Sequence, residues 1–429
     1  MKPYDPLAQL APQLPQDRDA CQGMDAQDPL AFARERFGLP NGLIYLDGNS
    51  LGPLPRHLPE RLRTVIQEEW GRGLIGSWND AGWIDLPGRL GDRIAELVGA
   101  EAGEIIVADS TSINLFKLLA GAVRLRPERR VIVTERSNFP TDLYVAEGLA
   151  SLLGDSVALR FVDGEVTPES VRAAAGDDCA VVMLTQVDYR SGRLLDMAEI
   201  TAAAHAAGAL MLWDLAHSAG ALPVELGVCD VDLAVGCGYK YLNGGPGAPA
   251  FLYVARRLQP HLPATLSGWL GHARPFDFDP DYRPAPGIRR QLCGTPAILS
   301  MAALDAALDV WEDVDRDGLR RKSQALGQLF IGLVEAHGPV DGLVLASPRD
   351  PDMRGSQVAW RHPEGFAVMQ ALIARGVVGD FRAPDILRFG FAALYLRYVD
   401  VWDAVAQLME VLRTGGWDRP EFRRRGSVT

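Results

Sequence analysis

Residues 105–119 read IIVADSTSINLFKLL, a pattern that predicts a strand, a turn and a helix in succession. The turn Asp109-Ser110-Thr111-Ser112 is rich in residues typical of a helix N-terminus. Five further short apolar runs follow at helix-sized intervals, at 130–134, 157–162, 180–184, 210–213 and 233–236. Alternation of this kind predicts an α/β fold with a mostly parallel sheet flanked by helices.

The 429 residues are expected to form four successive parts. Residues 1–55 carry several prolines and a turn-rich end, and we expect an extended N-terminal arm and a first turn. Residues 56–295 contain the alternating pattern and form the predicted large domain. In residues 296–415 long amphipathic stretches are separated by short strand-like pieces, which predicts a smaller C-terminal α+β domain. Residues 416–429 are expected to form a tail.

Composition excludes several classes of protein. The chain has 43 basic and 55 acidic side chains and a net charge of −12, so it repels a phosphate backbone and we expect no nucleic-acid partner. Its five cysteines form no C-x-x-C pair, so we expect no metal site, no disulfide framework and a reducing, cytoplasmic location. No apolar run reaches the roughly 18 residues of a membrane span, and none is expected.

Lysine is rare, and this draws attention to one position. Only four of the basic residues are lysines, namely Lys2, Lys117, Lys240 and Lys322. The other three lysines are expected to lie at the surface. Lys240 differs, because it follows the apolar run 233–236 and lies between Tyr239 and Tyr241. α/β sheets bind ligands at the carboxyl ends of strands, and an amine there can form a Schiff base with a carbonyl. A lysine whose stem lies across the two tyrosines explains this position equally well.

An acidic residue strengthens the functional interpretation of Lys240. Asp214 ends the run 210–213, so its carboxylate should emerge at the same sheet edge, about one strand away from the lysine. A pyridinium cofactor requires a carboxylate at its ring nitrogen and a lysine at its aldehyde, which predicts pyridoxal phosphate. The turn 109–112 could bind the phosphate at a helix N-terminus. A structural ion pair, and for His217 an ordinary buried histidine, remain the alternatives.

Five spaced motifs together resemble the kynureninase family, in its kynurenine-preferring bacterial type. They are Asp47-Gly48-Asn49-Ser50-Leu51-Gly52, Phe139-Pro140-Thr141-Asp142, Trp213-Asp214-Leu215-Ala216-His217, Tyr239-Lys240-Tyr241-Leu242-Asn243 and Gly268-Trp269-Leu270-Gly271-His272. The resemblance covers residues from about 40 to 410. It implies a fold-type I, pyridoxal-phosphate-dependent transferase-like fold. It also implies hydrolytic cleavage of the Cβ–Cγ bond of L-kynurenine to anthranilate and L-alanine.

The resemblance also implies roles for single residues. Lys240 would hold the cofactor covalently and move protons, Asp214 would pair with the ring nitrogen, and Tyr239 would serve as a general acid. The other implied cofactor contacts are Thr111, Ser112, Phe139, Pro140, Thr141, Asp142, Thr185, His217, Trp269 and Thr295. Trp269 and Thr295 would come from the second subunit of a homodimer.

Substrate contacts follow from the same resemblance. Arg388 would bind the α-carboxylate of the small-molecule substrate, a role that suits the two parallel N–H groups of a guanidinium. Gly294 and Thr295 imply a preference for kynurenine over 3-hydroxykynurenine. Trp78 would pack against the aryl ring, with simple core packing as the alternative.

Two other functions remain open at this point. Cysteine desulfurases and selenocysteine lyases share the aspartate and lysine pattern, and Cys293, near Arg289 and Arg290, is the candidate for the reactive thiol they need. A nucleotide-binding α/β protein could instead use the glycine-rich residues 244–247 as a phosphate loop. That loop follows a lysine, and no G-x-x-x-x-G-K-[ST] or G-x-G-x-x-G motif follows the first strand.

Overall fold

The computed structural model describes residues 14–15 and 17–426. Its α-helices are Arg18–Ala26, Leu58–Thr64, Ser77–Asp80, Leu86–Leu97, Thr111–Leu125, Pro140–Leu153, Pro168–Ala175, Met197–Ala206, Ile298–Leu308, Arg316–Ala336, Gly365–Ile373 and Tyr398–Thr414, and a π-helix occupies Val65–Gly73. Its strands are β1 (Ile44–Tyr45), β2 (Ile105–Val107), β3 (Val131–Thr134), β4 (Ala158–Phe161), β5 (Cys179–Thr185), β6 (Leu210–Asp214), β7 (Leu233–Cys237), β8 (Ala250–Val254), β9 (Val344–Leu345), β10 (Gln357–Arg361), β11 (Val377–Val378), β12 (Asp380–Arg382) and β13 (Ile386–Gly390).

A seven-stranded sheet forms the centre of the large α/β region, in the order β2-β8-β7-β6-β5-β3-β4. The pairs from β7 to β4 are parallel, whereas β8 runs antiparallel to both of its neighbours. All six predicted strands are present, and the predicted fold class is confirmed. β8 was not predicted, because its apolar run follows the glycine-rich loop 244–247 without a helical segment between them.

The strands near the middle of this sheet are buried on both faces. In β5, Val182 and Leu184 belong to the apolar cluster on one face, and Val181 and Met183 belong to the cluster on the other. A strand covered by helices on both sides needs apolar side chains at consecutive positions instead of alternate ones. This explains the continuous apolar runs in the sequence.

The C-terminal region contains a second, four-stranded antiparallel sheet in the order β12-β13-β10-β9. N-terminal residues pack against this region: β1 pairs with β11, and Asp25 accepts hydrogen bonds from the backbone amides of Tyr398 and Val399 at 2.6 and 3.1 Å. The described part of the predicted arm is therefore folded and includes the helix Arg18–Ala26. Residues 1–13 and 16 of the arm and 427–429 of the tail lie outside the described residues, and the domain bounds stay a prediction.

Two lysines expected at the surface are buried, so that expectation was wrong. Lys117 donates to Asp109 at 2.8 Å and to the carbonyl of Gln291 at 2.7 Å, and only 1% of the residue is exposed. Lys322 pairs with Asp28 at 2.7 Å and is 3% exposed. The partners come from segments distant in sequence, so a helical pattern alone could not reveal them. Lys2 lies outside the described residues.

We expect Lys322→Met to lower the free energy of unfolding by about 3–5 kcal/mol, because the carboxylate of Asp28 then stays buried without its counter-charge. The double variant Asp28→Asn, Lys322→Met should recover much of this loss, since neither charge remains. Denaturant unfolding of both single variants and the double variant measures the effect. Strictly additive losses would contradict this explanation.

Candidate active site

A cavity of about 290 Å³ lies at the carboxyl edge of the seven-stranded sheet. Its side chains come from the ends of β5 and β6 and from the segments that follow β2, β3 and β7. The lining residues are Thr111, Ser112, Phe139, Thr141, Asp142, Thr185, Tyr189, Asp214, Ala216, His217, Tyr239 and Lys240. Most of the side chains predicted to bind the cofactor therefore face a single space.

The remaining predicted site residues lie elsewhere in this chain. Pro140 begins the helix Pro140–Leu153 beside the cavity but does not line it. Trp269 is half-buried, with its ring 5.7 Å from that of Phe276, and Gly294 and Thr295 are exposed. The described chain thus does not bring these residues to its own cavity.

Trp78 also lies away from the cavity. Its ring packs edge-to-face on Trp83 at 6.1 Å, beside Val65 and Ala302. Within one chain Trp78 therefore packs against core residues, which is the alternative to contact with the substrate's aryl ring.

The turn after β2 presents the elements of a phosphate site. Ser110 is the N-cap of the helix Thr111–Leu125 and accepts from the amide of Ile113 at 3.4 Å. The first amides of a helix have no partner within it, and together with the hydroxyls of Thr111 and Ser112 they can bind an anion. The ion pair of Asp109 with buried Lys117 holds this turn in place.

Two buried carboxyl groups, Asp142 and Asp214, lie side by side in the cavity, 2% and 3% exposed. Burial and the neighbouring Asp214 hold the pKa of Asp142 well above its ordinary value. Burial also raises the pKa of Asp214, but the charge of Lys240 and a hydrogen bond from the amide of Ala216 at 2.8 Å favour its carboxylate form. We therefore assign the proton to Asp142 and the negative charge to Asp214.

The amine of Lys240 lies 3.0 Å from Nε2 of His217. Burial, and then the charge of Lys240, hold the pKa of His217 well below its ordinary value, so the ring is neutral and accepts a hydrogen bond from the amine. The amide of Gly52 donates to the carbonyl of Tyr239 at 2.8 Å. A Cβ at Gly52 would overlap the carbonyl oxygen of Lys240, so this close approach requires glycine. The motif that contains Gly52 thus supports the turn bearing the lysine.

Tyr189 is a cavity residue that the sequence analysis missed. Its ring meets that of Phe139 at 5.2 Å, almost perpendicular to it. Its carbonyl accepts from Nη1 of Arg388 at 2.5 Å, which places the arginine directly behind the cavity wall. An aromatic residue five positions after the end of the predicted strand 180–184 was the available signal.

The donor set fits pyridoxal phosphate. Helix amides and hydroxyls suit the phosphate, the face of Phe139 suits an aromatic ring, Asp214 suits the ring nitrogen, and Lys240 suits an aldehyde. Among residues 14–15 and 17–426, no group of three or more His, Cys, Asp or Glu side chains is arranged to hold a metal ion. No helix in the same part of the chain is long and apolar enough to cross a membrane.

Comparison with known proteins identifies the family. A family model described as "Kynureninase C-terminal domain" matches residues 319–408. The kynureninase of Pseudomonas fluorescens is 54% identical over 416 residues, which cover 96% of this chain and 99% of that protein. The chain belongs to the kynureninase family. This membership confirms the predicted family, the pyridoxal phosphate cofactor and the predicted enzyme class, a hydrolase that depends on this cofactor.

Solved structures similar to this member of the kynureninase family have the fold-type I architecture. The apo cysteine desulfurase of Thermococcus onnurineus superposes with a TM-score of 0.76 at 18% identity, covering 90% of this chain and 98% of that one. A C-DES variant with glycine covalently linked to its PLP cofactor superposes with a TM-score of 0.74 at 19% identity, covering 87% of this chain and 98% of that one. At such identities the likeness shows the fold alone.

Local geometry does not favour the two other functions. Burial raises the pKa of the Cys293 thiol, which donates to the carbonyl of Leu266 at 3.2 Å, whereas a desulfurase needs a reactive thiolate. Gly244, Gly245 and Pro246 line an apolar groove of about 520 Å³ together with leucines and prolines. That environment is unsuited to a nucleotide phosphate.

We expect Asp142→Asn to stabilise the cofactor-free enzyme as the pH rises from about 5 to 8. A carboxyl group whose pKa is raised by folding stabilises the protein below its unfolded pKa, and this contribution is lost as the pH rises through the folded pKa. Asparagine does not titrate and can still donate to Asp214. Melting temperatures across this range should show the variant increasingly more stable than the wild type.

Asp178→Asn is the matched control, because Arg160 lowers the pKa of this exposed carboxylate. It should give no stabilisation at high pH. A constant difference between Asp142→Asn and the wild type at every pH would contradict the assignment of the proton to Asp142.

Proposed function

We propose that this enzyme cleaves the Cβ–Cγ bond of L-kynurenine with water to give anthranilate and L-alanine. The observation that carries the proposal is the cavity of about 290 Å³, where Lys240, Asp214 and the phosphate turn face one another. Its sequence support is the 54% identity to a kynureninase over nearly the whole chain.

The cofactor would be held at three points. Lys240 would bind its aldehyde carbon, the carboxylate of Asp214 would accept from its ring nitrogen, and Thr111 and Ser112 would bind its phosphate. Pyridoxal phosphate, when bound, supplies an electron sink that lets an amino acid lose its Cα proton and activates Cβ. The protonated carboxyl group of Asp142 would support this role of Asp214 by donating a hydrogen bond to its carboxylate.

Proton movements would be divided among three side chains. Lys240 would act as the base that moves protons at the reacting carbons, and neutral His217 accepts a hydrogen bond from its amine. Burial raises the pKa of Tyr239, so its phenol stays protonated at neutral pH and can donate a proton as a general acid.

Substrate selection would involve both ends of kynurenine. We assign the α-carboxylate to Arg388, which lies behind the wall formed by Tyr189. Gly294, Thr295 and Trp78 stay predicted contacts for the aryl end, with 3-hydroxykynurenine as the poorer substrate.

We further propose a homodimer with shared active sites, located in the cytoplasm. The segment around the π-helix exposes four large apolar side chains, with Ile66, Trp70, Leu74 and Ile75 between 46% and 81% exposed. A cluster of exposed apolar residues is typical of a protein interface. A second copy could supply Trp269 and Thr295, which do not reach the cavity of their own chain. The five cysteines are unpaired, in agreement with a reducing compartment.

The purified enzyme should be yellow and should release fluorescent anthranilate from L-kynurenine. Borohydride reduction should attach the cofactor to the peptide containing Lys240, and Lys240→Ala should lose both the attachment and the activity by several orders of magnitude. Mass spectrometry distinguishes this lysine from Lys117 and Lys322. Sulfide release from cysteine without anthranilate would instead establish the desulfurase alternative, and a colourless protein would contradict the cofactor site.

The substitution Ile75→Asp should shift the protein from dimer toward monomer, because a charge is then buried in the proposed interface. Light scattering after gel filtration measures the mass. Val228→Asp is the matched control, since Val228 is equally exposed but lies outside the apolar segment. A dimer that tolerates Ile75→Asp would place the interface elsewhere.

A further inference from the structure

A buried ion pair lies directly behind the cavity. Asp380 and Arg388 are opposite each other in the register of β12 and β13, and both are 1% exposed. The carboxylate binds one edge of the guanidinium: Oδ1 accepts from Nε at 2.8 Å and Oδ2 accepts from Nη2. Two parallel bonds of this kind fix the plane of the guanidinium as well as its position.

Two further contacts of Arg388 are made by its terminal nitrogens Nη1 and Nη2. Nη2 donates to the hydroxyl of Ser50 at 2.9 Å, and Nη1 donates to the carbonyl of Tyr189 at 2.5 Å. Ser50 in turn donates to Asp380 at 2.9 Å. Because Tyr189 lines the cavity and its carbonyl contacts Nη1, the Nη1/Nη2 edge lies on the cavity side of Arg388.

Asp380 is itself held from two sides. Arg382 contacts its Oδ2 at 2.7 Å, and the hydroxyl of Ser50 donates to the same oxygen at 2.9 Å. Asn49 lies against Arg388, and when its amide oxygen is turned toward the guanidinium it accepts from Nε at 2.8 Å and from Nη2 at 3.2 Å. The pair is therefore a rigid unit built from two neighbouring strands and the segment that contains Asn49 and Ser50. Asp47 is a second carboxyl group near this unit, and burial together with Asp380 raises its pKa to about 6.

We propose that Asp380 is a positioning residue for substrate recognition. By occupying the Nε/Nη2 edge of Arg388, it keeps the Nη1/Nη2 edge directed at the cavity for the α-carboxylate of the amino-acid substrate. This inference rests on the proposed role of Arg388 as the carboxylate-binding residue.

The direction in which Asp380→Asn changes carboxylate binding distinguishes positioning from simple charge competition. If Asp380 only competed with the substrate for Arg388, removing its charge would tighten carboxylate binding. If Asp380 positions the guanidinium, Asp380→Asn weakens binding, because the amide NH₂ of asparagine is a donor and cannot replace the second acceptor oxygen.

The test uses the cofactor-loaded enzyme at about pH 8, above the raised pKa of Asp47. For Asp380→Asn we expect KM for L-kynurenine to rise about tenfold or more, with kcat within about threefold, since the lost contact acts on ground state and transition state alike. A second readout needs no turnover: titration of the cofactor absorbance with L-alanine and with L-alaninamide. L-Alanine should bind at least about tenfold more weakly and L-alaninamide nearly unchanged. Asp380→Glu, which retains a carboxylate, should give intermediate values.

Asp400→Asn is the matched control. Asp400 is also buried in the C-terminal region and also contacts two arginines, Arg397 at 2.7 Å and Arg34 at 3.1 Å, but it does not contact Arg388. It should lose thermal stability without changing KM or the preference for L-alanine over L-alaninamide.

Unchanged or tighter binding of L-alanine by Asp380→Asn would overturn the inference. If that variant does not fold, wild-type values of KM and of L-alanine binding in Asp380→Glu would overturn it, and raised values would support it. Should the wild type fail to cleave L-kynurenine while Asp380→Asn still loses its preference for L-alanine, the proposed function fails and the positioning role stands.

Discussion

The active site depends on a charge balance between the partly buried amine of Lys240 and the almost completely buried carboxylate of Asp214. Asp214 is almost completely buried, and a carboxylate in such a position is unstable unless a positive charge or hydrogen bonds compensate it. Lys240 supplies the charge, and the amide of Ala216 supplies a hydrogen bond. Asp142 adds no second negative charge because it holds its proton. His217 stays neutral, so the charges of Lys240 and Asp214 offset each other across the cavity.

The sheet brings these groups together because parallel strands end at the same edge. Thr185 is in register with Asp214, and Asp214 with Val235, so the ends of β5, β6 and β7 form a short row. The turn with Lys240 follows the last of these strands and the phosphate turn follows β2. β8 lies between β2 and β7, which leaves the width of one strand between the phosphate turn and the lysine turn. The antiparallel strand thus sets part of the spacing in the site.

The parts of this arrangement that depend on local pattern could be predicted from the sequence. Asp214 and Lys240 could be placed together because each follows an apolar run that ends at the same edge. Arg388 is one arginine among many and was found only through the family resemblance. Its partner Asp380 depends on the register of two short strands, and the burial of Lys117 and Lys322 depends on contacts with distant segments. The spacing of residues within one segment does not reveal strand register or contacts with distant segments.

The motif from Asp47 to Gly52 connects the two ends of the proposed substrate site. At one end the amide of Gly52 binds the carbonyl of Tyr239, next to the cofactor lysine. At the other end Ser50 bonds to both Arg388 and Asp380. A segment of six residues therefore spans the distance from the residue that would hold the cofactor to the residue that would hold the carboxylate. Because it contacts backbone at one end and a rigid ion pair at the other, a shift of this segment would change the spacing between the two anchors.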